Sequence, residues 1–207
     1  MASYTNDGDF VEQVRLFNVA NYLHGQDVVI DVPGLGALKI NLSYGGNYYA
    51  IVEPQKAWSG LDGMSARDIV RLSPLVRQAA QEALRPVHPE DERINGVSHV
   101  MWCDKPKHPR AHARNAVFYG EKAIDRSPCG IGSSARMAQP VAKGRLGEGT
   151  PSYTRASSER SSTAVLSRSR PLVITRRSSQ VLPAGQKSLG TTRSSSTIAI
   201  RSLTVFR

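Results

Sequence analysis

The sequence predicts an α+β lobe of about 150 residues followed by a tail without regular structure, and three observations carry that expectation. Alternating apolar runs, punctuated by glycine and proline, occupy residues 11 to 56. One stretch, 65 to 84, changes to helical spacing. From Thr150 onward the texture turns to serine, threonine and arginine with no sustained period.

The elements follow in order. VEQVRLFNV spaces Val11, Val14, Leu16 and Val19 for burial on mostly one face of a strand. QDVVIDV and GALKINLSY flank the turn signal Pro33-Gly34, and YYAIVE follows the pair Gly45-Gly46. Ser65 is placed to cap a helix in which Ala66, Ile69, Val70, Leu72, Leu75, Val76, Ala79, Ala80 and Leu84 recur at helical spacing. Pro74 predicts a kink there, or two shorter helices with the second opening near Ser73. VSHVMWC and NAVFYG predict two more strands around the loop DKPKHPRAHAR, and residues 132 to 143 predict a second helix with its N-terminus facing Cys129.

Charge separates body from tail. The 207 residues carry a net +10, but ten of the Lys and Arg residues and only one acid, Glu159, lie from Thr150 onward. The body is therefore close to neutral. The tail holds 14 Ser and 8 Thr, a composition that predicts disorder. Arg168, Arg170, Arg176 and Arg177 could neutralise phosphates, but no aromatic pattern is interleaved with them, and no nucleic-acid partner is expected. With only two cysteines there is no disulfide framework. No apolar run reaches the roughly 18 residues of a membrane span. MASYTNDGDF lacks the regions of a signal peptide, so the expected location is cytoplasmic, with no membrane partner. His99, Cys103, His108 and His112 lie close together, as zinc ligands do. Pro106 and Pro109 argue against a helix presenting His108 and His112 on one face, and no metal is expected.

The chemistry gathers in DRSPCGIGSSA, residues 125 to 135. A cysteine at a helix mouth meets unpaired N–H groups and the positive end of the dipole, both of which favour thiolate. Gly130 and Gly132 let the backbone approach a ligand, so the same N–H groups could hold a carboxylate. Asp125 could receive a cationic amine, and together these groups suggest an amino acid as substrate. The residues alone are also compatible with a tight turn carrying an inert thiol.

DRSPCGIGSSARMAQ resembles the DRSPCGTGTSA signature of the proline racemase family. HARNAVFYGEKAIDRSPCG and YGGNYYAIVEPQ narrow the resemblance to its 4-hydroxyproline 2-epimerase branch, over residues 14 to 149. The resemblance implies one lobe of a two-lobed fold similar to that of diaminopimelate epimerase, with a mixed sheet around a central helix. It implies an isomerase that needs no cofactor, acts on a small molecule and works as a dimer when intact. Two cysteines face opposite sides of the substrate Cα: one removes the α-proton while the other protonates the opposite face. Backbone N–H groups on the carboxylate stabilise the carbanion. On this resemblance Cys129 is the second of the two cysteines, Asp125 meets the substrate nitrogen, and the N–H groups of Gly130 and Ile131 grip the carboxylate. His99 is a further substrate contact. Ile131 and Ser133 stand where the signature usually has threonines, which keeps the backbone donors and loses a hydroxyl.

The family's first cysteine belongs to an MCGHG-like motif, which this sequence lacks; Cys103, in MWCDKP, is expected to be structural. Inversion is therefore expected to be absent from this chain. The tail also has a second reading. If codons are re-read from the last base of each to the first two of the next, a choice of synonymous codons for GTTRSSSTIAIRSLTV gives YNTIFIDDRDPLTHG, similar to the family's ending. In the same frame and in the family's order, and with codons chosen likewise, residues 152 to 160 can give VHESIIG and residues 175 to 186 PAIIPSLAGWA. The expected domains are thus a partial epimerase lobe at 1–149 and, after a frameshift, an out-of-frame tail at 150–207. The alternatives are a single-lobe protein that binds an amino acid or a partner without catalysis, and a proline racemase.

Overall fold

The computed structural model describes residues 2–4, 11–109, 111–146, 151–156, 161–165, 173–177 and 195–202, with side-chain surroundings given for 19–109, 111–146 and Thr154. The order is β1 (Ala2–Tyr4), β2 (Val11–Val32), β3 (Gly36–Tyr44), β4 (Tyr48–Val52), α1 (Ala66–Leu84), β5 (Val87–His88), β6 (Asp91–Asn95), β7 (Val97–Asp104), β8 (Ala113–Tyr119), β9 (Ala123–Asp125), α2 (Gly130–Ala142), β10 (Pro151–Ala156), β11 (Ser161–Val165), β12 (Val173–Arg177) and β13 (Ser195–Ser202). The expected α+β lobe is present. The two strands predicted within 11–32 are one long strand, bulged on either side of Gly25 where its register against β3 slips. A bulge lets one strand bend without breaking its ladder.

Neighbouring strands run β1-β2-β13-β12-β11-β10-β8-β7-β4-β3, and β3 also pairs with β2, so the path returns on itself. The sheet is mixed: β4 runs parallel to β7, whereas β7 and β8 are antiparallel. Helix α2 packs against β2, β3, β4, β11 and β12, which makes it the central helix, while α1 lies against β7, β2 and β9.

Alternation sorts the side chains between the two helices. On β4, Tyr48, Ala50 and Val52 join the cluster that includes Ile69, Leu72, Val76 and Ala80 of α1. Tyr49 and Ile51, pointing the other way, join Cys129 and Ala135. On β7, Val100 and Trp102 take the first side, Met101 and Cys103 the second. A strand buried on both faces reads as a continuous apolar run, which is why YYAIV shows no alternation of polarity.

Ser65 caps α1 as expected, in a reciprocal capping box with Asp68. Pro74 neither divides nor ends the helix, which is continuous over 66–84. Ser73 beside it is fully buried, and its Oγ accepts the Trp102 indole N–H at 2.8 Å.

Composition predicts no regular structure beyond 149, yet four segments there, β10 to β13, are strands. β10 lies parallel to β8, and β13 lies parallel to β2. Sheet ladders are made by the backbone, and the Thr, Val and Ile residues in these segments suit a pleated strand whatever the surrounding composition. The other residues of 150–207 lie outside the described set.

At the C-terminal end of β7, Asp104 accepts the Leu61 N–H at 2.8 Å and pairs with Arg114 at 2.6 Å; both side chains are largely buried. Burial pushes the Asp104 carboxyl up, but the N–H groups of Leu61 and Lys105 and the Arg114 guanidinium outweigh it and hold the pKa below its ordinary 3.8. This contribution is present above the unfolded-state value and is lost as pH falls through the lower folded-state value. Asp104→Asn is expected to cost about 2 kcal/mol at neutral pH in urea unfolding. The gap from the parent should close as pH drops below about 4; a gap that does not change with pH would contradict this assignment.

Candidate active site

The approach to α2 is built from short-range hydrogen bonds. β9 ends at Asp125, whose Oδ1 accepts the Ser127 N–H at 2.8 Å, an Asx turn. Ser127 Oγ then accepts the Cys129 N–H at 3.1 Å. The Pro128 carbonyl between them accepts from Asn115 Nδ2 at 3.3 Å and from Ser133 Oγ at 3.0 Å. These bonds deliver Cys129 to the N-cap of α2 with φ 57° and ψ 95°. The helix ladder begins with Ser133 N–H donating to the Cys129 carbonyl at 2.7 Å. The N–H groups of Gly130, Ile131 and Gly132 therefore have no acceptor within the helix. The helix opens two residues earlier than expected, because Gly130 and Ile131 form its first turn.

A cavity of about 500 Å³ lies at this helix mouth. All five residues singled out in the sequence line it: Cys129, Asp125, Gly130, Ile131 and His99. Asn47, Tyr49, Val117, Tyr119, Arg126 and Ser127 complete the wall. Cys129 is 8% exposed, enclosed yet reachable from the cavity. Two glycines permit the close packing around it. A Cβ on Gly45 would stand 2.6 Å from the Ala135 N and 2.7 Å from the Ile131 carbonyl oxygen. A Cβ on Gly132 would stand 2.5 Å from the Met101 methyl and 2.9 Å from the Cys129 sulfur.

His99 lies between two tyrosine rings, with centroids 4.6 Å from Tyr49 and 6.2 Å from Tyr119. Burial, reinforced by the Arg77 charge, pulls its pKa below the ordinary imidazole value against the opposing pull of Asp125. The ring is accordingly neutral at pH 7, with Nδ1 at 2.7 Å from Ser98 Oγ. Cys103 is elsewhere: it is 1% exposed in the cluster between the sheet and α2, does not line this cavity, and burial pushes its thiol pKa up. His108 and His112 lie on the exposed connection between β7 and β8, and His112 borders a separate cavity of about 270 Å³ near the C-terminal end of α2. Among the described residues, no three His, Cys, Asp or Glu side chains are placed together to hold a metal.

Tyr49, Asn47 and Tyr119 have no role in the sequence reading. Strand periodicity carries a signal for the first: Tyr49 and Ile51 must face away from Tyr48 and Ala50, and thus toward α2.

The family model for proline racemase matches residues 1–159, more than half of the chain. The chain belongs to the proline racemase family. It is 63% identical over 140 residues to the 4-hydroxyproline 2-epimerase 2 of Rhizobium rhizogenes, a match covering 68% of this chain and 42% of that protein. To the 4-hydroxyproline epimerase of Brucella ovis it is 53% identical over 146 residues, covering 70% and 44% respectively. The chain thus spans less than half the length of these curated relatives. Its fold is similar to a hydroxyproline epimerase from Agrobacterium vitis, solved with bound trans-4-hydroxy-L-proline, at TM-score 0.63 and 27% identity, over 72% of this chain and 43% of that one. A probable proline racemase from Agrobacterium radiobacter, solved with bound carbonate, matches with TM-score 0.69 and 26% identity over 88% of this chain and 56% of that one. These solved relatives share the family's two-lobed α+β fold, of which this racemase-family chain carries the sheet around its central helix.

Proposed function

We propose that this site is one half of a cofactor-independent 4-hydroxyproline 2-epimerase, which interconverts trans-4-hydroxy-L-proline and cis-4-hydroxy-D-proline. The observation that carries the reading is the meeting of Cys129, Asp125, His99 and the first N–H groups of α2 in one cavity. A relative solved with hydroxyproline bound and curated relatives with matching names support the substrate class. The substrate carboxylate sits on the N–H groups of Gly130 and Ile131, where the helix dipole favours negative charge. Asp125 receives the ring ammonium. The Cys129 thiolate takes the Cα proton, becoming a thiol, and the electron pair left behind delocalises onto the carboxylate held by those donors. Neutral His99 adds polar surface without placing a second cation beside the ammonium.

Inversion needs a second acid on the opposite face of Cα. The only other cysteine, Cys103, is sealed in the core. This chain presents one thiol to the cavity, so it removes and returns the proton on the same face. In D₂O the thiol exchanges its proton with solvent between the two steps. The chain is therefore expected to place deuterium on Cα of trans-4-hydroxy-L-proline with configuration retained, and to form no cis-4-hydroxy-D-proline. Proton NMR and chiral chromatography of the recovered amino acid read both outcomes. Deuterium with inversion would show that the chain is a complete epimerase, and no deuterium at all would remove Cys129 from the role of base. Running proline in parallel tests the racemase alternative, which requires proline to exchange faster.

A further inference from the structure

We infer that Tyr49 is a positioning residue for the Cys129 thiol, an assignment that rests on the epimerase reading and extends it. The Tyr49 hydroxyl lies 3.6 Å from the Cys129 sulfur, within hydrogen-bond range for sulfur, in a side chain only 1% exposed. Three neighbours hold it there. The His99 ring covers one face at 4.6 Å and 33°. The backbone of β4 points the side chain toward α2. Gly132 leaves the space between them open, since a Cβ there would stand 2.9 Å from the sulfur and 3.1 Å from the Tyr49 ring.

The contact serves both states of a proton relay. The phenol O–H donates to the thiolate, and the thiol S–H donates to the phenol oxygen. A hydrogen bond to an ionised acceptor is the stronger of the two, so the tyrosine favours thiolate and lowers the energy needed to lose the proton. It also fixes the direction of the sulfur, because the hydroxyl is anchored at the far end of a rigid ring. Tyr48, its neighbour, has its hydroxyl 2.5 Å from that of Tyr22 on the other side of the sheet and serves as an internal comparison.

The test is the pH dependence of Cys129 alkylation by iodoacetamide in the full 207-residue chain, with the modified residue located by mass spectrometry. Other titratable or charged groups face the cavity: His99 from β7, Tyr119 from β8, and Asp125 and Arg126 from the turn before α2. Tyr49→Phe leaves all of these in place. It is expected to raise the alkylation midpoint by about one pH unit, roughly a tenfold slower reaction well below the midpoint. Tyr48→Phe should leave the midpoint where it is. An unchanged midpoint in Tyr49→Phe, or an equal shift in Tyr48→Phe, overturns the assignment. If Tyr49→Phe does not fold, 3-fluorotyrosine at position 49 keeps the ring and acidifies the phenol. The midpoint should then fall, and a midpoint that does not move counts against the proposal. Alkylation reads the thiol directly, so failure here is distinguishable from a failure to turn over hydroxyproline.

Discussion

Cys129→Ser is expected to reduce deuterium incorporation into trans-4-hydroxy-L-proline by roughly 10²–10⁴-fold, the range that a positioned general base contributes. The substitution is nearly isosteric, but a hydroxyl holds its proton far more tightly than a thiol and offers almost no base near neutral pH. The fold should tolerate it. The Cys129 side chain makes no capping bond of its own, and serine is a preferred N-cap residue. Thermal unfolding should therefore change little while exchange collapses. Equal losses of exchange and stability would mean that the thiol supports the packing around Met101 and Ala135 rather than the chemistry.

Gly45→Ala should do the opposite, disturbing the fold first and the chemistry as a result. The added methyl would meet the Ala135 N at 2.6 Å and the Ile131 carbonyl at 2.7 Å, both of them backbone atoms of α2. A flexible side chain can turn aside from such a contact, but a helix backbone has to move as a body. Overpacking of this kind costs about 1–3 kcal/mol. Urea unfolding should show that loss, and the displaced first turn of α2 should carry Gly130, Ile131 and Cys129 out of register with Asp125. Full stability with unimpaired exchange would show that α2 can slide within its ring of strands, against the close fit seen here.

These two residues also show what the sequence could and could not disclose. Cys129 stood out because a proline precedes it and glycines follow it within residues 125 to 132. Those residues alone also fit an inert thiol in a tight turn, and the role assigned to it came from the signature around it. The strands at 36–44, 48–52, 97–104 and 113–119 were legible from turn signals and apolar runs, and α1 from its period and its Ser65 cap. Gly45 looked like an ordinary turn glycine, because its role depends on a helix about 90 positions away. Tyr49 was hidden similarly, since two adjacent tyrosines look alike until the sheet assigns them to opposite faces. The short pieces β5, β6 and β9 carry too few residues to establish a period. Beyond 149 the composition reported charge and polarity, whereas pairing in a ladder depends on which neighbour offers a free edge.

Cys129 holds a backbone angle of φ 57°, a region that side chains other than glycine's enter at a cost of about 1–3 kcal/mol. Glycine would sit there at ease. On the role proposed for Cys129, one codon is pulled two ways: glycine would relieve the backbone strain, but it would remove the thiol and its packing beside Met101 and Ala135. On that same proposal, a copy released from selection for turnover loses the reason to hold a strained residue at 129, and the identity of that residue then reports whether the selection persists.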